Sequence, residues 1–132
     1  MESKKKLSVS YVLDILKNFS DENHLLTQQE IIEKINQKFS LVLDRKTISN
    51  NIDDLINFGF DIFKSSKGAY LVSRDFEEGE IRFLIDAVFS SKVISSKYAQ
   101  DLSKKISSFL SCYKQDDYDY ILKSSDVART NN

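Results

Sequence analysis

The 132-residue sequence has no proline, three glycines, one cysteine and one histidine. Without proline, no loop is pinned through a fixed φ. Three glycines are too few for a glycine-rich phosphate loop. Cys112, as the only thiol, forms no internal disulfide, which fits a reducing compartment. One Cys and one His24 far apart in sequence do not supply a zinc site, so no metal or other cofactor is expected. A nucleophile–base–orienter set also lacks its parts around a single histidine, so the chain is not expected to be an enzyme. The apolar runs are only a few residues long and span no bilayer. Met1–Lys6 is basic, but no signal-peptide core follows it, which places the chain in the cytoplasm. Excess charge of either sign is absent too. The net charge is −1, and residues 1–72 hold ten Lys/Arg against ten Asp/Glu. A nucleic-acid surface, if there is one, must come from local placement of charge.

The pattern divides the chain near residue 73. Val9, Val12, Leu13, Leu16 and Phe19 give a helical face over about 8–19, with Ser8 as its expected N-cap. Thr27-Gln28-Gln29-Glu30 is a capping box, and Leu26 with Ile31 is placed as a hydrophobic staple. Ile31, Ile32, Ile35 and Phe39 continue that second helix. Asp44 is an N-cap for a third helix, whose apolar stripe is Ile48, Ile52, Leu55 and Ile56. Gly59 marks its end. Two alternating runs around Ser65-Ser66-Lys67-Gly68 then predict a β-hairpin.

The second part is predicted to be helical. Ile81, Leu84, Ile85 and Val88 form a face near 77–90, and Tyr98, Leu102, Ile106, Phe109 and Tyr113 form another over 96–113. Residues 116–132 are polar, with a short strand expected at Tyr118–Leu122. The fold class is thus mainly α with a small hairpin. Residues 1–73 form a winged helix-turn-helix, residues 74–115 a two-helix linker or dimerisation hairpin, and residues 116–132 a tail.

In such a fold the third helix enters the major groove with its N-terminal residues nearest the bases. Its apolar stripe leaves Arg45, Lys46, Thr47, Ser49, Asn50 and Asn51 on faces expected to be exposed, and Asp53 and Asp54 come only later. Arg can bridge guanine O6 and N7, and Asn can bridge adenine N6 and N7. Arg45, Ser49 and Asn50 are therefore the expected base readers. Lys46, Thr47, Thr27 and Gln28, with Lys64, Ser65, Ser66 and Lys67 of the wing, are the expected phosphate contacts. Lys4–Lys6 is either a DNA-binding arm or a solvated terminus. These residues admit two functions, a double-stranded DNA reader or a winged-helix protein-interaction module that the neutral charge favours.

The string Asp44-Arg45-Lys46-Thr47-Ile48-Ser49-Asn50-Asn51-Ile52-Asp53-Asp54-Leu55, with Gly59-Phe60-Asp61-Ile62 and Lys67-Gly68-Ala69-Tyr70-Leu71-Val72, resembles the N-terminal winged helix of WYL-domain, DeoR-like bacterial transcriptional regulators. Phe76–Ile81 with Leu84-Ile85 is similar to that family's linker helix, and Tyr118–Asn132 to the lead-in to the WYL domain. The chain departs from the family at Asn50 and Asn51, where Arg and Asp are frequent. The resemblance implies operator binding as a homodimer, here through residues 77–113, and an effector bound by a C-terminal domain beyond these 132 residues.

Overall fold

A computed structural model describes residues 7–118. It is mainly helical with one two-stranded antiparallel hairpin, in a winged-helix-like order. The described residues form two compact units that meet between Ser73 and Arg74.

The first unit begins with α1 (Ser8–Phe19), α2 (Gln28–Phe39) and α3 (Arg45–Phe58). Each helix buries a stripe at helical spacing: Val12, Ile15 and Leu16 from α1, Ile31 and Ile35 from α2, and Ile48, Ile52 and Leu55 from α3. The start of α2 is the expected capping box. The Glu30 amide donates to Thr27 Oγ1 at 3.1 Å, and the Thr27 amide donates to Glu30 Oε1 at 3.0 Å. Ser40 closes α2 in the left-handed region, at φ 56° and ψ 38°. The next three residues carry the chain to Asp44, with Leu41 and Leu43 turned into the core. Asp44 Oδ1 accepts from the Thr47 amide at 2.8 Å and starts α3. At the other end, Gly59 adopts φ 131°, and its amide reaches the Leu55 and Ile56 carbonyls.

The hairpin pairs β1 (Ile62–Ser65) with β2 (Gly68–Leu71) through a two-residue turn, Ser66-Lys67. Two attachments hold it. The Leu26 and Ala69 amides donate to each other's carbonyls at 2.9 and 2.8 Å, which adds a bridge from the segment entering α2. Buried Ser20 accepts from the Leu71 amide at 3.1 Å and donates to the Leu16 carbonyl at 2.6 Å. The first attachment explains a glycine. Gly68 has φ +133°, and a Cβ there would lie 2.7 Å from the Leu26 carbonyl oxygen. A side chain is thus excluded by conformation and by space.

Two expectations at the α1–α3 contact are corrected together. Ser8 is not an N-cap: Leu7 holds that position, and no side chain caps the helix. Asn51 is not on an exposed face but is 7% accessible, and its Nδ2 donates to the buried Ser8 Oγ at 3.0 Å. Each polar group satisfies the other inside the core, where either one unpartnered would be costly.

The second unit contains α4 (Glu78–Ser90) and α5 (Ser96–Ser107), followed by a helical stretch over residues 112–118. Ile81 and Ile85 of α4 pack with Leu110 and Tyr118. The single helix expected over 96–113 is divided, and its expected apolar face is displaced. Tyr98 is 57% exposed, whereas Ala99, Ser103 and Ser107 are the buried residues of α5. These lie at i, i+4 and i+8, one position on from Tyr98, Leu102 and Ile106, so the buried line of α5 is made of small side chains. At the end of the helix, Ser107 and Ser108 hydroxyls donate to the Lys104 and Lys105 carbonyls at 2.9 and 2.5 Å, competing with continuation of the helix. Tyr118 is helical and buried, not the start of a strand. Lys4–Lys6 and the remainder of the expected tail and strand, residues 119–132, lie outside the described residues.

Candidate nucleic-acid interface

The first turns of α2 and α3 and the tip of the hairpin enclose an open cleft of 770 Å³. Its floor is apolar, from Leu26, Ile31, Ile52 and Ala69. Its rim is polar, from Thr27, Gln28 and Gln29 on α2, Arg45 and Ser49 on α3, and Lys64, Ser65 and Ser66 on the hairpin. Local structure explains each placement. The capping box sets the first turn of α2. The Asp44 cap does the same for α3, and the Leu26–Ala69 bridge sets the hairpin beside both.

The structure sorts the expected site residues into three groups. Thr27, Gln28, Arg45, Ser49, Lys64, Ser65 and Ser66 line the cleft. Arg45 and Ser49 are four apart, so they share a face of α3. Lys46 and Asn50 form the neighbouring exposed stripe, Thr47 is half-buried, and Lys67 is exposed in the hairpin turn. Asn51 alone belongs to the core. Among the described residues, Arg45, Lys46 and Lys67 enter no ion pair, so their donors face solvent. Lys64 is different: its ammonium is engaged by the Asp53 carboxylate of α3.

Two participants were not visible in the sequence pattern. Gln29 lines the rim beside Gln28, and its position in the first turn after the Thr27 cap is the signal that would have found it. Asp53 stands out only through Lys64, eleven residues along the chain, and no local spacing announces that pair. Ser65 shapes the hairpin tip. Its hydroxyl accepts from the Lys67 amide at 3.2 Å and donates to the Gly68 carbonyl at 3.3 Å.

The arrangement offers guanidinium, ammonium, hydroxyl and amide donors over one concave surface. Such donors can contact hydrogen-bond acceptors, phosphate oxygens among them. Among the described residues no group of three or more His, Cys, Asp or Glu side chains is placed to hold a metal ion, and no helix is long and apolar enough to cross a membrane. Comparison with protein families, with curated proteins and with solved structures gave no match.

Proposed function

We propose that the first unit is a sequence-specific reader of double-stranded DNA and that the chain serves transcription regulation. The observation that supports this most is the placement of Arg45 and Ser49 on the leading turns of α3, across an open cleft from the Ser65-Ser66 tip and the first turn of α2. A duplex edge entering there would meet Arg45, Ser49 and Asn50 at base edges, with Thr27, Gln28, Lys46 and the hairpin at phosphates. Thr27 keeps a donor for this, because its oxygen accepts from the Glu30 amide and leaves the hydroxyl hydrogen available. Exposed Phe83, Val93 and Tyr98 in the second unit support self-association through residues 77–113. A dimer would present two α3 helices to half-sites about one helical turn apart or a multiple of it. Any effector would bind to a WYL domain outside these residues.

The test is fluorescence anisotropy with a mixed AT-rich duplex pool at two salt concentrations, beside Arg45→Ala. Salt-sensitive binding is expected, and it should weaken by about 1–3 kcal/mol for preferred sequences in the variant. One observation favours a second reading, a protein-interaction module. Asp53 and Asp54 are both exposed on α3, and Asp53 already occupies one wing cation. Absence of binding at low salt and high protein concentration would select that reading.

A further inference from the structure

Arg45, Ser49 and Asp53 lie at i, i+4 and i+8 on α3, so one stripe runs from cation to neutral hydroxyl to anion. Lys64 stands opposite the anionic end. It projects from β1 on the face it shares with Ile62, the face turned to α3, while Phe63 and Tyr70 pair across the other face with ring centroids 5.6 Å apart. Lys64 lines the cleft, yet its charge is directed to Asp53. Both side chains are about half exposed, at 51% and 50%. A pair this exposed is weakly held and screened by salt, so a stronger competitor displaces it. A phosphate of a duplex seated in the cleft is such a competitor.

We propose that Asp53 is a specificity-determining residue that acts as an internal competitor for the DNA backbone. It withholds Lys64 from phosphate in loosely seated complexes and yields it only when the duplex is fully docked against α3 and the wing. Phosphate contacts carry no sequence information and dominate non-specific binding, so masking one of them lowers background affinity. The proposal rests on the DNA-binding reading and assigns regulation within the same site.

The test compares the full 132-residue wild type with Asp53→Asn, Lys64→Ala and the double variant on a short mixed-sequence duplex across a salt series. Asp53→Asn keeps the size of the side chain at an exposed position, and its melting curve reports that the fold is intact. Releasing Lys64 should add about one phosphate contact. The slope of log affinity against log salt then steepens by about 0.9, equivalent to about eightfold more loss of affinity over a tenfold rise in salt. Lys64→Ala in the Asp53→Asn background should abolish the gain, giving the double variant the slope of Lys64→Ala alone. If the gain persists without Lys64, it is a general charge effect and the proposal falls. If Asp53→Asn binds more weakly with an unchanged melting curve, the pair positions the wing and the proposal falls as well. Wild-type binding that Asp53→Asn leaves unaltered overturns the proposal while the DNA-binding reading stands. No binding by any of the four proteins at low salt overturns both.

Discussion

The two units are built on different kinds of interior. The first closes around large aliphatic side chains from every element, Ile15, Leu16, Ile31, Ile35, Ile48 and Leu55 among them. Its buried polar groups are partnered: Asn51 with Ser8, and Ser20 with Leu16 and Leu71. The second has a smaller apolar cluster of Ile81, Ile85, Leu110 and Tyr118, and its helix α5 turns Ala99, Ser103 and Ser107 inward. Its large apolar residues Phe83, Val93 and Tyr98 stay exposed. A dense core holds α3 and the hairpin in fixed register, because closely packed side chains transmit position. A unit with small residues inside and aromatic residues outside carries apolar surface suited to association.

The largest expected effect breaks the first unit at its centre. Leu55→Ala removes a side chain that is 5% exposed on the buried stripe of α3 and should cost about 2–5 kcal/mol. Amide hydrogen exchange resolves the two units separately. Protection should fall across α1–α3 and much less across α4–α5. An equal loss in both units would show that they unfold together and that the contrast between them has no energetic meaning.

Next in size is Gly68→Ala, which sharpens the role of the wing within the first unit. The new Cβ meets the Leu26 backbone, and φ +133° is adopted by side-chain-bearing residues only under strain of about 1–3 kcal/mol. The mutual amide bonds of Leu26 and Ala69 should open first, seen as faster exchange at those two amides while α1–α3 keep their protection. On the proposed DNA-binding reading, affinity for a duplex should fall with the misplaced wing. Arg45→Ala, by contrast, should lower binding with no change in exchange, because Arg45 is exposed and enters no ion pair among the described residues.

The legibility of the sequence follows the same division. In the first unit, Thr27, Asp44 and Gly59 announce helix ends through their own local chemistry, and aliphatic spacing then places the helices. The Arg45 and Ser49 face followed from that spacing. Asn51 did not, although its position carries a signal. It lies three residues after Ile48 and four before Leu55, so geometry puts it inside while residue type puts it outside. Its partner Ser8 is 43 residues away, and only tertiary structure brings the two together. The Asp53–Lys64 pair was hidden for the same reason, since it depends on how closely the wing approaches α3. In the second unit, the aromatic and aliphatic period was a poor guide. The buried line of α5 is set by how closely its helix packs, which selects small residues, and the apolar stripe beside that line stays partly exposed.

The smallest effect expected has the opposite sign to those in the first unit. Ser103 is fully buried in α5, and its hydroxyl has no hydrogen-bond partner among the described residues. Asn51 and Ser8 show the cost avoided when a buried polar group is matched; Ser103 is a group left unmatched. Ser103→Ala removes the unsatisfied hydroxyl, keeps a small side chain on the packed line and improves helix propensity. It should therefore stabilise the second unit by about 1 kcal/mol, read as slower amide exchange across α4 and α5 with no change in α1–α3. A loss of protection in α4 and α5 would mean that the hydroxyl is satisfied in solution, for example by a bridging water. The second unit would then be built on matched polar contacts like the first, and the difference between the two interiors would reduce to side-chain size alone.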